Sequence, residues 1–222
     1  MNFTARSHFI VPYRACLLAA FVTLLAISAI HPPHPADFVW EHALTVAFLF
    51  LLIWLEITRQ PLSNASYTLL FLFMLLHVLG AHYTYSEVPY DHWCEKLVGT
   101  SLSTMVGYTG MRNHFDRLVH ALFGLLLVQP MAELVQRWLG LRGIGCLIVA
   151  AAFLCVLGMM YELLEWIYAA IMGEEAAKLY NGEQGDAFDA QKDMAWNTMG
   201  SVVGALGIGI VRTWKTHHKA SV

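Results

Sequence analysis

Ile144-Gly-Cys-Leu-Ile-Val-Ala-Ala-Ala-Phe-Leu-Cys-Val-Leu-Gly-Met-Met160 carries no charged side chain, and the chain then continues into Tyr161-Glu-Leu-Leu-Glu-Trp166. An apolar run of this kind is what a bilayer core about 30 Å thick asks of a helix, with an aromatic residue where the interface begins. The rest of the chain repeats the pattern. Residues 13–30, 39–57, 67–85, 118–135, 144–160 and 194–211 are each apolar over roughly the length needed to cross. The pattern predicts an all-α, polytopic membrane helix bundle of about six transmembrane helices, forming a single integral membrane domain over residues 1–222.

Composition excludes the main alternatives. Of 222 residues, 58% are hydrophobic and 13% are charged, roughly half the charged share of a soluble domain. Thirteen Lys+Arg against sixteen Asp+Glu leave no basic footprint for nucleic acid. Cys16, Cys94, Cys146 and Cys155 are scattered without a C-x-x-C, so neither a zinc knuckle nor a disulfide framework is expected. Cys16, Cys146 and Cys155 lie in apolar stretches and read as small packing residues. The P-loop, G-x-S-x-G, H-E-x-x-H and dinucleotide signatures are all missing, so no motif argues for an enzyme.

Smaller features fill in the architecture. Arg6 and Arg14 before the first run resemble a signal peptide, but His31-Pro-Pro-His34-Pro is a poor cleavage region, so the segment is expected to stay as a span. Pro130 falls inside the fourth run, where it removes the bond to Leu126 and should kink the helix. Gly200-x-x-x-Gly204, with Ser201, Ala205 and Gly209, gives the last helix a small-residue face for close packing. Residues 97–108 are expected to lie along the surface as a short interfacial helix. Two plain N-terminal helices would then precede a unit decorated with polar groups.

The placement of charge predicts orientation. With the N-terminus inside, the inner segments hold Arg6, Arg14, Arg59, Arg137, Arg142, Arg212, Lys215 and Lys219. The longer outer loops hold Lys96, Arg112, Arg117, Lys178 and Lys192. This bias puts both termini in the cytoplasm. Glu56–Arg59 and Glu133–Arg137 then read as local pairs anchoring inner helix ends, and Glu174 and Glu175 as solvated.

Under that topology four helices bring polar groups to one level, the outer interface. Helix three ends with His77 and His82; helix four begins with Arg112-Asn-His114-Phe-Asp116-Arg117 and His120. Helix five ends with Glu162 and Glu165; helix six is preceded by Asp186 and Asp189 and carries Asp193 and Asn197. Asp116 and His120 are four apart, and Glu162 and Glu165 three apart, so each pair shares a helix face. Ionisable groups at this depth face protein or water and pair with something. His120, Glu162 and Asp193 are expected to form one site, supported by Asp116, Glu165 and Asn197, with His77, His82 and Asp189 as further candidates. Imidazole with carboxylates can hold a divalent cation, relay protons or meet a headgroup. The alternative reading is that Asp116 with Arg112 or Arg117, and Asp193 with Lys192, are ordinary caps and ion pairs, and that Asp186 and Asp189 are ordinary residues of a Gly-punctuated outer loop.

Four blocks carry a resemblance over essentially the whole chain: Gly80-Ala-His-Tyr-Thr-Tyr-Ser-Glu-Val-Pro89, Arg112 to Arg117 with His120, Tyr161 to Trp166, and Gln184-Gly-Asp186 through Asp193-Met194. Together they resemble the YjdF family of bacterial inner-membrane proteins. That resemblance implies a multi-pass protein of the inner (cytoplasmic) membrane and supplies no activity. Asp116/His120, Glu162 and Asp193/Asn197 also resemble the degenerate pattern of VanZ-like membrane proteins, which are associated with glycopeptide-antibiotic tolerance. Two function classes follow from the residues. In one, the outer cluster binds a divalent cation or the headgroup of a membrane lipid or cell-wall precursor, a small envelope ligand. In the other, the protein is a small transporter or structural partner, with the cluster as proton relay or helix-fixing network.

The orientation is directly testable. A reporter fused after Val222 should read as cytoplasmic; a periplasmic signal would place the polar level on the opposite face.

Overall fold

The computed structural model describes residues 7–58, 62–172 and 184–220, and among them the chain is helical with no strand. The helices are α1 (Ser7–Ser28), α2 (Pro35–Ile57), α3 (Asn64–His82), α4 (Tyr90–Val98), α5 (Leu102–Met105), α6 (Phe115–Leu139), α7 (Gly143–Met172) and α8 (Asp189–Ala220). Five of them, α2, α3, α6, α7 and α8, are long and apolar enough to cross a bilayer, and α1 adds the shorter apolar stretch Tyr13–Ser28. Arg6, Arg59, Glu174, Glu175 and Lys178 lie outside the described residues. For convenience, the level reached by Pro35, His82, Phe115, Ile171 and Asp189 is called the cluster end.

The closest helix pair is α6 with α8, and glycine is the reason. A Cβ on Gly200 would fall on the Ala121 carbonyl oxygen, and one on Gly124 on the Asn197 carbonyl oxygen. A Cβ on Gly204 would sit 2.8 Å from the Leu125 carbonyl oxygen. The small-residue face expected on the last helix therefore meets backbone, and Gly124 answers it from the facing helix. Ser201 is fully buried in the same seam. The third wall, α7, packs on both and is keyed to α8 by Asn197, which is 1% exposed. Its amide Nδ2 donates to the Leu154 carbonyl at 3.0 Å, over Gly158, where a Cβ would strike that amide.

Around this trio, α3 packs on α6, and α1 and α2 pack on α3. The main apolar core lies toward the end away from the cluster, with Leu55, Val128, Ala132, Leu147, Ala150 and Leu154 at its centre. α6 runs through buried Pro130 as one helix. Cys146 is buried and donates to the Ala132 carbonyl, as a packing residue should. Cys16 is exposed, contrary to expectation, because its face of α1 turns away from the bundle. A lipid solvent also accounts for exposed Phe50, Ile148, Leu206 and Ile210 in mid-helix. Trp40 and Trp166 mark the cluster end of this apolar band, and Trp54, Trp138 and Trp214 the other end.

Several boundaries differ from expectation, α7 running on to Met172 and α8 starting at Asp189 among them. α3 stops at His82 rather than at residue 85, because Thr84 and Tyr85 take left-handed conformations with φ of 54° and 53°. This turn folds the Tyr85 ring back onto Gly80, where a Cβ would sit 2.5 Å from it. The surface segment at 97–108 is not one helix: Leu97 and Val98 end α4 and a single turn, α5, follows, with Leu97, Val98, Met105 and Val106 exposed.

At the end opposite the cluster, the carboxylates act between helices. Glu56 pairs with Arg14 at 3.0 Å and accepts from the Tyr67 hydroxyl. Glu133 accepts from the Ser63 amide and the Ser63 and Ser66 hydroxyls, fastening the start of α3 to α6. The two glutamates are interhelical ties, not merely local anchors.

Gly200→Leu should lower stability in detergent by about 1–3 kcal/mol or more, because the added side chain must push apart two backbones. An unchanged melting temperature would mean that α6 and α8 do not touch along this seam.

Candidate functional site

The glycine seam places the start of α6 beside the start of α8, one to two turns above the contact. His120 lies one turn above Gly124, and Asp193 lies two turns above Gly200. Because α7 is antiparallel to both, its later turns bring Glu162 to the same level. His120 Nε2 is 3.3 Å from Glu162 Oε1 and 3.4 Å from Asp116 Oδ1. Asp116, His120 and Asp193 each present a ligand atom, and the three atoms lie within 4.8 Å of one another. Glu165 lies next to Glu162, within hydrogen-bonding reach. These residues come from three helices and enclose a common point, and His120, Glu162 and Asp193 are all buried.

Not every candidate belongs to this group. Asp189 sits one turn nearer the surface, where Arg112 and Arg117 bind it; the Arg117 contact is 3.0 Å. Asp186 pairs with Arg117 at 2.7 Å and with Lys192 at 2.5 Å. These two aspartates form an arginine latch over the cluster; the pairing alternative assigns the arginines to Asp116 and Lys192 to Asp193 instead. Asp116, by contrast, turns inward to His120. Asn197 is a helix key one turn below, as described above. The His82 Nδ1–H donates to the Ser28 carbonyl, 2.7 Å away, and ties α3 to the end of α1.

His77 leads to a second polar group that the sequence reading did not identify. Its Nε2 is 2.8 Å from Thr45 Oγ1 and its Nδ1 is 2.5 Å from the Tyr85 hydroxyl. Thr45 Oγ1 also meets His42 Nδ1 at 3.2 Å. A buried chain of His42, Thr45, His77 and Tyr85 therefore links α2, α3 and the turn after it. Two more buried acids on α2 face α7: the Tyr161 hydroxyl donates to Glu41, and the Tyr168 hydroxyl donates to Asp37, both at 3.3 Å. So α2 is not a plain span. The usable signal was the spacing of Asp37, Glu41 and Thr45, which puts all three on one face of a helix.

Between the His120 group and the His77 group lies a cavity of about 340 Å³. Asp116, His120, Tyr161, His77, Thr45 and Tyr85 supply its polar atoms, while Phe48, Phe73, Val119, Phe123, Leu127 and Leu157 supply apolar walls. Its deepest lining residues sit near the middle of their helices, so the space runs from mid-bundle toward the cluster end. A second cavity, of about 380 Å³, lies toward the other end between α1, α2 and α3. Phe48 and Met74 line both.

Comparison with known proteins agrees with this architecture. The family model described as "Predicted membrane protein (DUF2238)" matches residues 13–214. The inner membrane protein YjdF of Escherichia coli (strain K12) is 34% identical over 147 residues, covering 65% of this chain and 64% of that protein. The chain thus spans somewhat under two thirds of the length of this relative. No solved structure matches. With its apolar helices, these matches make the chain a multi-pass inner-membrane protein.

Outside the spans, charge makes this end acid-sensitive. The Lys192 ammonium, and then Arg117, hold the Asp186 carboxyl below the usual carboxylate range. His114 is held below the usual imidazole range, first by burial and then by Arg117 and Arg112. A carboxylate with a lowered pKa contributes stability above its unfolded value that is lost as pH falls; a histidine kept neutral likewise opposes protonation. The melting temperature should therefore drop on acidification below about pH 6.5 and again below about pH 4. Asp186→Asn should shrink the second drop and leave the first; an unaltered profile would mean that the Asp186 pairs carry no stability.

Proposed function

The chain belongs to the DUF2238 family of predicted membrane proteins, and on that premise we propose that it binds an envelope amphiphile, with the headgroup at the buried cluster and the chain in the apolar cavity. One observation carries this reading. Asp116 and His120 belong both to the cluster and to the cavity wall, so polar and apolar recognition adjoin in one space. Small-molecule sites are concave, mostly apolar and marked by a few convergent polar groups, and about 340 Å³ lies in their usual range. Facing lipid, the same groups would each cost roughly 2.5–3.5 kcal/mol at mid-membrane and less nearer the interface. Facing a cavity, they are available for a ligand. Given the charge bias of the loops, the cluster opens toward the periplasm.

We place the opening to the membrane between α2 and α7, where the cavity-lining Leu157 and Leu164 are exposed. There the Tyr161–Glu41 and Tyr168–Asp37 hydrogen bonds are long and bridge the helices toward the cluster end. A lipid can enter such a site sideways without leaving the bilayer. A transport reading has one observation of its own: the two cavities meet at Phe48 and Met74, so displacing those side chains would join them across the bundle.

The test is retention of lipid by the purified protein, measured by native mass spectrometry in mild detergent. Leu157 lines the cavity yet is 46% exposed, so Leu157→Trp fills the space at little cost to folding. It should lower retention by about tenfold, equivalent to about 1.4 kcal/mol of binding, with the melting temperature unchanged. Equal retention by the two proteins would contradict the binding reading.

A further inference from the structure

We infer that Asp116, His120 and Asp193, with Glu162 beside them, form a site for one divalent cation, which makes this end of the cavity an acceptor for a phosphate-bearing headgroup. The inference rests on the reading of the cavity as a ligand site and names the chemistry by which it would hold a headgroup.

The argument begins with bonds that are not made. A charge-assisted N–H···O bond is usually about 2.7–2.9 Å long. His120 Nε2 instead stands at 3.3 Å from Glu162 and 3.4 Å from Asp116, one nitrogen between two carboxylates and close to neither. Glu162 Oε1 and Asp193 Oδ1 are both buried with no hydrogen-bond partner, and their residues are only 8% and 2% exposed. The nearest guanidinium nitrogen to Asp193 is Arg117 Nε at 3.8 Å, while the same side chain's NH2 group is engaged by Asp186 and Asp189. Buried carboxylate oxygens left unpaired are expensive. Three acids around one imidazole, with Arg117 Nε no nearer than 3.8 Å, make a ligand set for a cation.

The donor set is one that suits a cation. The three ligand atoms already lie within 4.8 Å of one another. A tetrahedral metal with bonds of about 2.0–2.2 Å holds its ligand atoms about 3.3–3.6 Å apart, so closure takes side-chain movements of roughly 1 Å or less each. One imidazole with carboxylates fits manganese or zinc better than the all-oxygen shell typical of calcium. Asp116 and His120 also line the cavity, so an open coordination position would face into it. There a phosphate oxygen would complete the shell, and without the cation the same carboxylates would repel it.

The experiment uses the full chain in detergent, stripped with a chelator and titrated with Mn2+ while the electron paramagnetic resonance signal of free Mn2+ is followed. One Mn2+ should bind per chain and be displaced by Zn2+. Asp193→Asn and His120→Ala should each weaken binding at least tenfold. Glu56→Gln, at the opposite end and paired with Arg14, should leave it unchanged. Wild-type protein that binds no Mn2+, or an Asp193→Asn protein that binds as wild type does, overturns the inference. Should either variant fail to fold, Glu162→Gln supplies the same comparison, with weakened binding expected and wild-type binding contradictory. Phosphatidylglycerol retention measured with and without chelator separates this inference from the cavity reading. Loss of lipid on chelation supports the cation. Lipid retained regardless of chelator overturns the cation as the headgroup's holder and leaves the cavity reading standing.

Discussion

The rest of this bundle depends on the contact of two backbones, α6 and α8, where Gly124 and Gly200 leave no room for a Cβ. In lipid there is little hydrophobic drive for helices to associate, so packing at close range has to supply it. The contact also sets the register. With these glycines opposed, His120 and Asp193 come to one level a turn or two away, and α7 in the groove adds Glu162. The site is thus a consequence of how the helices cross, and residues that never touch a ligand position the residues that can.

Along α8 the polar residues change character with depth. Asp189, still buried, meets two arginines at the outermost turn, Asp193 enters a group with unmade bonds, and Asn197 is satisfied by a backbone carbonyl in the core. The first and third of these have structural partners: an ion-pair latch and a helix key. The middle layer is the one whose geometry calls for something more, and it is also the layer that opens on the cavity. Structural and binding roles therefore occupy successive turns of one helix, not competing explanations of one cluster.

Much of this was legible because membrane helices are governed by length and apolarity, which a sequence displays openly. The convergence of His120, Glu162 and Asp193 followed from helix direction alone, since antiparallel spans must alternate their ends. The missed groups were missed for physical reasons. Asp37 lies in the first turn of α2, where an acid ordinarily complements the helix dipole, and the apolar window beginning at residue 39 left it outside the span. Glu41 and His42 lie within that window but are masked by its strong hydropathy. Tyr85 was placed on the α3 span because nothing local marks a left-handed turn at Thr84 and Tyr85, which are not glycines. Gly124 lacks a small-residue partner four positions away on its own helix, so its role is visible only from the helix facing it.

The central claim is that the cavity beneath His120 and Asp116 is a ligand site. An experimental structure of the protein purified with its native lipids, determined by electron cryomicroscopy in a nanodisc, tests it most directly. The account predicts elongated density among Phe73, Phe123, Leu127 and Leu157, ending in a headgroup against Asp116 and His120. A collapsed cavity, with Asp116 and Asp193 turned to water or paired with the arginines of the latch, would contradict it.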